Sequence, residues 1–269
     1  SRVLADRVGD KGHVIGIDLD QDLIGKLRTR NEQEGSKNIE LVHDNYAHLD
    51  QILEKLGYHE IDGILFDLGF SSYHVDESRR GFSFLRDEPL DMRYDPTRNE
   101  LTAEKIIHTW SEQAIADLIQ TSGEERYSKR IAARIISERK RKHIDTSVEL
   151  AAIVRSSIPH RSLTHTRLPR QVHPATRTFQ ALRIAVNDEL GNIERAMDGA
   201  VERLRDGGKI IIISFHSLED RAVKHFFQKL RKEQRLTVLT PKPMRPSFQE
   251  IKINPRARSA KLRAALKIC

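Results

Sequence analysis

The stretch Asp62-Gly63-Ile64-Leu65-Phe66-Asp67-Leu68-Gly69 constrains the fold of this chain more than any other. Three large apolar residues in a row, Ile64, Leu65 and Phe66, predict a short strand covered on both faces, as in a parallel sheet. Gly69 lets the backbone turn sharply just past that strand, which delivers Asp67 to the strand's carboxyl end. Ligands of open α/β sheets bind at that edge. Taken alone, an Asp in this place serves equally well as an Asx cap of the following turn.

The residues upstream repeat the pattern. Residues 1–9 read as the last turns of a helix stopped by Gly9, followed by a strand His13–Ile17. Asp18 ends that strand. Asp20 or Asp22 caps the next helix, Leu23–Arg30, which leaves Asp18 as the functional candidate: a carboxylate at the tip of such a strand suits the two hydroxyls of a ribose. Ile39–Val42 is another strand, ending at His43-Asp44-Asn45-Tyr46, where the Tyr46 ring is placed to stack on a purine or simply to pack. The order strand, helix, strand, helix, strand predicts an α/β fold with a parallel, Rossmann-like sheet. Because the chain opens in the middle of such a unit, a first strand and its glycine-bearing loop are expected to precede Ser1.

After Asp67 the period changes. Residues 73–99 mix turn formers, charges and aromatics, and predict an ordered loop near the site. Helical periodicity then runs from about Thr102 to Ile158, including a basic helix Glu125–Lys142. Residues 159–173 read as a basic loop with Arg161, Arg167 and Arg170, and Thr176–Leu204 as one long helix stopped by Asp206-Gly207-Gly208. Ile210–Ile213 is a second doubly covered strand, delivering Phe215-His216-Ser217 to the same edge as Asp67. A helix Leu218–Leu230 and strands at Thr237–Leu239 and Leu262–Ile268 complete the chain. The expected division is 1–75 and 173–269 as two parts of one α/β domain, with 76–172 as a helical insert.

Charge points to a partner. Residues 1–125 carry 14 Lys+Arg against 26 Asp+Glu, and residues 126–269 carry 32 against 13, so the net +7 conceals a strongly basic second half that favours a polyanion such as nucleic acid. Arg126, Lys129, Arg130 and Arg134, at spacings of three, one and four, share a broad stripe on that basic helix, and with Arg256 and Arg258 they are the expected phosphate contacts. The single cysteine, Cys269, excludes a disulfide framework and a cysteine zinc site, and the histidines show no ligand spacing, so no metal is expected. No apolar run reaches the roughly 20 residues of a membrane span and no leader opens the chain, which makes the cytoplasm the expected compartment.

Seven blocks carry a resemblance. Asp62–Gly69, Arg80-Gly81-Phe82-Ser83-Phe84, Pro89-Leu90-Asp91-Met92-Arg93, Gly123-Glu124-Glu125-Arg126, His173–Ala181, Phe215–Arg221 and Asn254–Ser259 together resemble the bacterial 16S ribosomal RNA cytosine-N4 methyltransferases, the RsmH or MraW type. The resemblance implies an S-adenosyl-L-methionine-dependent enzyme with a Rossmann-like methyltransferase sheet and a helical insert. Its substrate would be the N4 amino group of a cytidine in the decoding region of 16S rRNA, on the RNA or the small ribosomal subunit. It implies cofactor contacts at Asp18, Tyr46, Asp67 and His74, although this chain reads Ser71-Ser72-Tyr73-His74 where relatives carry Ser-Ser-Pro-Gln. The family's Gly-Gly-His loop would precede Ser1. Asp67, or a backbone carbonyl of its loop, is the first candidate to accept a hydrogen bond from the cytosine amino group and His216 the second, with orienting the cofactor an equal role for Asp67. Phe70, Phe82 and Phe84 either stack on the base or simply pack in the core.

Two other readings stay open at this level: a methyltransferase-like RNA-binding assembly factor without activity, and a nicotinamide-dependent enzyme, which Asp18 alone would permit. The oligomeric state, a homodimer included, is open as well.

Overall fold

The computed structural model describes residues 2–35, 38–159 and 173–268, and the chain divides into two compact units, 1–69 with 190–269, and 70–189.

In the first unit the helix Arg2–Val8 stops at Gly9, whose φ of 71° only glycine adopts without strain. β1 (Val14–Asp18) and β2 (Ile39–His43) pair in parallel across the helix Gln21–Glu34. β3 (Ile61–Asp67) pairs in parallel with β4 (Leu204–Ser214), and two further strands, β5 (Leu236–Val238) and β6 (Lys261–Lys267), complete a sheet of order β3-β4-β6-β5. β6 is antiparallel to both neighbours, so β3, β4 and β5 run the same way and end at one edge, where Ser214 faces Lys261. Val14-Ile15-Gly16-Ile17 and Ile210–Ile213 are rich in β-branched residues, which suit the pleat. The helix Glu189–Arg203 lays Ile193, Met197 and Val201 on the sheet, and the helix Ser217–Lys232 lays Val223, Phe227 and Leu230 there, against Phe66, Ile210, Ile212 and Ala265. Each such fully buried side chain contributes roughly 1.5–3 kcal/mol.

Two expectations for this unit are corrected. β3 is not covered on both faces: Phe66 is buried, whereas Leu65, whose side chain points to the opposite face, is 43% exposed. Asp206-Gly207-Gly208 does not stop a helix either. The helix ends at Arg203 and the chain enters β4 at Leu204, leaving these residues in a bulge where the register jumps from Ile61↔Leu204 to Gly63↔Lys209.

The second unit is helical: Ala103–Thr109, Glu112–Thr121, Ser128–Arg139, Ser147–Ser157 and Thr176–Asn187 enclose Ile106, Ile115, Ile119, Ile131, Leu150 and Leu182. Thr102 and Ser111 cap two of these helices, and Thr146 with Glu149 forms a capping box on a third. The loop expected over 73–99 begins only at residue 77, because Ser72–Asp76 is a short helix; residues 77–101 are an ordered loop. Arg80 donates to the Arg93 and Tyr94 carbonyls, and Arg93 forks onto Asp91 at 2.6 and 2.8 Å.

Three boundaries differ from expectation. The basic helix begins at Ser128 rather than Glu125, since Glu124 sits at φ 50° and the Glu125 carboxylate takes the Tyr127 N–H; Arg126 therefore lies in a turn. The long helix 176–204 is two helices broken at Asp188, φ 46°. Finally, residues 70–75 and 173–189 belong with the helical unit rather than with the sheet, because Phe179, Leu182 and Val186 are part of its core. The expected basic loop with Arg161, Arg167 and Arg170 lies outside the described residues. No helix among the described residues is long and apolar enough to cross a membrane.

Candidate functional site

In the first unit the strand ends gather the candidate residues. Asp18, half-buried at the tip of β1, accepts the Asp20 N–H at 2.8 Å through Oδ1. Asp20 in turn is wholly buried and caps the next helix by accepting the Leu23 N–H at 3.1 Å, so the capping and site roles fall on different acids. Past β2, Asn45 accepts the Ala47 N–H at 2.9 Å and donates to Asn192 Oδ1 at 2.9 Å, fixing the short 3₁₀ turn Tyr46–His48. The Tyr46 ring meets Phe66 edge to face with centroids 5.8 Å apart. The structure thus brings Tyr46 to the end of β3, next in sequence to Asp67.

Asp67 stands where β3 turns away from the sheet: Leu68 N–H still bonds the Ile213 carbonyl at 2.9 Å, and Gly69 follows at φ 85°. Asp67 is exposed, yet partial desolvation of its carboxyl, and then the negative charge of Glu219, push it above the ordinary aspartate range. Glu219 is fully buried. Its Oε2 takes the Phe215 and His216 N–H groups at 2.7 and 3.2 Å. His216 Nδ1 accepts the Glu219 N–H at 3.3 Å and its Nε2 lies 3.3 Å from Glu219 Oε1. The expected second acceptor, His216, is therefore built into a helix cap. The i, i+3 spacing of His216 and Glu219 is the sequence signal for that cap, and Glu219 is a site residue that sequence reasoning missed.

Arg256 and Arg258 are exposed on the short turn Pro255–Ser259, close in sequence to the start of β6. There Lys261 and Arg263 hold Asp220 at 3.0 and 2.7 Å; burial alone would raise its carboxyl, but the hydrogen bonds and positive charges of Arg263 and Lys261 together keep it below the usual range.

In the second unit His74 is 4% exposed, accepts the Ser71 N–H at 3.1 Å, and packs against Phe82 and Tyr94 with centroids 5.1 and 4.9 Å away. These contacts fix the ring in the loop that follows residue 70. Phe82 lies between Phe70 and Tyr94 in a stack with spacings of 6.1 and 5.6 Å, and Phe84 packs on His173 and Phe179. Burial, and then the charge of Arg155, lower the His173 pKa. Around the stack is a network that no local pattern announces. Arg183 lies over the Phe70 ring at 4.3 Å and forks onto Glu189 at 2.7 and 3.0 Å, Tyr94 O–H donates to Glu189 at 2.7 Å, and Asn187 donates to the Met92 carbonyl at 2.7 Å.

The basic helix presents Lys129, Arg130 and Arg134 to solvent; Arg134 pairs with Glu138 at 2.9 Å, and Arg126, in the preceding turn, lies over Tyr127 at 4.7 Å. Glu104, His143 and Asp145 bring possible metal-ligand atoms within 4.8 Å of one another, but all three are substantially exposed. An open cavity of about 470 Å³ lined by Arg93, Glu100, Glu104, Lys105 and His108 contains none of the expected site residues.

Comparison with known proteins places the chain. The MraW methylase family matches residues 1–268. The ribosomal RNA small subunit methyltransferase H of Clostridioides difficile (strain 630) is 41% identical over 283 residues, covering 100% of this chain and 89% of its own. That of Synechococcus elongatus is 48% identical over 255 residues, covering 95% and 80%. A crystal structure of an rRNA methylase from Streptococcus thermophilus aligns with 99% of this chain and 80% of its own at 13% identity and a TM-score of 0.43. With a match that runs from the first residue to the last but one, and relatives above 40% identity along nearly the whole length, the chain belongs to the MraW methylase family.

Proposed function

We propose that this chain transfers the methyl group of S-adenosyl-L-methionine to the exocyclic N4 amino group of a cytidine in the decoding region of 16S rRNA, on the small ribosomal subunit. The observation that carries the reading is the near full-length match to relatives named ribosomal RNA small subunit methyltransferase H. The donor set at the sheet edge is compatible with the cofactor. Asp18 offers a strand-end carboxylate to ribose hydroxyls, Tyr46 an aromatic face to adenine, and Asp67 a carboxylate to the remainder of the ligand or to the base.

Bound S-adenosyl-L-methionine supplies an electrophilic methyl sulfonium, so the protein's own task is chiefly positioning. The cytosine amino lone pair is delocalised into the ring. Asp67, accepting one amino hydrogen, would turn the nitrogen toward a tetrahedral shape and direct its lone pair toward the methyl carbon, and would take the amino proton released as the C–S bond breaks and the sulfur leaves as a neutral thioether. His216 and Glu219 hold the adjacent turn as a helix cap, and the cap keeps the neighbourhood of Asp67 fixed. Lys129, Arg130, Arg134, Arg126, Arg256 and Arg258 supply phosphate contacts on their respective units. His74 supports this indirectly by shaping the loop after residue 70.

The test is methyl transfer from labelled S-adenosyl-L-methionine to undermethylated small subunits, followed by nucleoside analysis. N4-methylcytidine is expected, and it disappears with Asp67→Ala. Label on a ring carbon or on another base, or RNA binding without transfer, would overturn the assignment.

A further inference from the structure

The connection from β5 to β6 is residues 239–260. It keeps four large apolar side chains in water: Leu239 is 48% exposed, Met244 61%, Phe248 83% and Ile253 85%. Lys242, Arg245 and Lys252 stand between them and Arg256 and Arg258 follow, with Glu250 as the one acid of the segment. An exposed Phe adds almost nothing to the stability of its own fold, and clustered exposed apolar groups mark a binding surface.

Topology puts this connection at the site. β3, β4 and β5 all end at the edge where β6 begins, so the segment leaves and rejoins the sheet on the side that carries Asp67 and His216. Its root is pinned. Met244 and Leu262 exchange two backbone hydrogen bonds of 2.9 Å, and Lys261 and Arg263 grip Asp220 on the helix that His216 caps. Pro241, Pro243, Pro246 and Pro255 stiffen what lies between, lowering the entropy lost when it grips a ligand.

We propose that residues 239–260 form an arm that holds single-stranded RNA beside the modified nucleotide, with Phe248 stacking on a base and the flanking cations meeting phosphates. This rests on the rRNA reading above and adds a surface to it. Charge chooses the occupant: protein-docking patches are depleted in lysine at their centres, whereas aromatic and apolar groups interleaved with cations are the pattern of single-strand binding. Arg256 and Arg258 belong to the same arm, which accounts for two cations remote in sequence from the basic helix.

The experiment uses the full chain and two fluorescein-labelled probes, a single-stranded RNA and the duplex of the same sequence, read by anisotropy. Phe248→Leu keeps the apolar bulk but removes the π face, and Phe248→Trp restores a larger one. Phe248→Leu is expected to weaken single-strand binding on the order of 10-fold, with duplex binding little changed, and Phe248→Trp to bind at least as well as wild type. An unchanged thermal midpoint shows that folding is unaffected. Wild-type affinity in Phe248→Leu, or an equal loss on both probes, overturns the arm while leaving the methyl-transfer reading intact; the first result would assign the exposed face to a protein partner or a second copy. Absence of RNA binding by the wild type overturns both.

Discussion

Lys129 and Arg130 provide the sharpest test of where RNA docks on the helical unit, because the structure separates them from cations already at work. Arg139 donates to the Ile107 and Trp110 carbonyls, Lys142 pairs with Glu149, and Arg134 pairs with Glu138. Among the described residues neither Lys129 nor Arg130 has an ion-pair partner, and both are exposed. Each is thus able to release one counterion's worth of charge on meeting a phosphate. On single-stranded RNA each lost contact flattens the slope of log affinity against log salt by about 0.7, so Lys129→Gln/Arg130→Gln is expected to flatten it by about 1.4. Between about 50 and 200 mM salt that difference narrows the variant's deficit by roughly sevenfold. The assay is a filter-binding or anisotropy titration with a small-subunit rRNA fragment at four or five salt concentrations, with S-adenosyl-L-methionine affinity measured alongside and expected to stay constant. Arg134→Gln is the control: held by Glu138, it should flatten the slope by less. A double variant with the wild-type slope and normal methylation of subunits would falsify the docking role and leave the helix an ordinary solvated face.

Three further outcomes follow from the site and its surroundings. Asp18→Ala is expected to weaken S-adenosyl-L-methionine binding by about 1.5–3 kcal/mol in calorimetry, the worth of a charge-assisted hydrogen bond; unchanged affinity would remove Asp18 from the cofactor site. Partial desolvation and Glu219 raise the folded-state pKa of Asp67 above its unfolded value, so the ionised group opposes folding at high pH, and that opposition fades as the pH falls below the unfolded pKa. Asp67→Asn should therefore lose methyl transfer yet raise the thermal midpoint near neutral pH, with the gain shrinking toward about pH 4; a gain that grows toward acid would contradict the sign. Glu189→Ala leaves the Arg183 guanidinium, whose side chain is 11% exposed, without its carboxylate, and should cost about 3–5 kcal/mol in urea unfolding, much of it recovered in Arg183→Met/Glu189→Leu. A loss below about 1 kcal/mol would show that water or another group replaces the pair.

Much of the sheet could be read from the chain because its signals are local. Apolar runs marked β1 to β4, Gly9 marked a helix stop, and Asp18, Tyr46 and Asp67 all fall at or just past strand ends as expected. What the sequence hid depends on partners far along the chain. Val186, Leu190, Ile193, Met197 and Val201 keep one helical stripe straight through Asp188, and the break there goes with an Asn187 side chain bonded to Met92 and Tyr94, nearly a hundred residues upstream. Ile64-Leu65-Phe66 looks doubly covered because an apolar run does not say whether a second layer packs on both faces of its strand. Arg126 looked helical because the charge pattern continues through a turn set by the conformation of Glu124. The Arg183–Glu189–Tyr94 network has no spacing that local pattern reading detects.

The placement of the helical unit between β3 and β4 shapes how the protein is made. Asp67 pairs with Ile213, so the central parallel ladder cannot form until roughly 150 intervening residues have emerged from the ribosome, and contacts of such long range fold slowly. The helical unit is continuous in sequence, has its own apolar core, and can form while the sheet waits. Once folded it replaces a long flexible loop by a compact spacer, which lowers the entropy of joining the two halves of the sheet. Until that moment β3 displays Phe66 and the edge that β4 will occupy to other nascent chains, so slow synthesis or a destabilised helical unit should show itself first as aggregation rather than as lost catalysis.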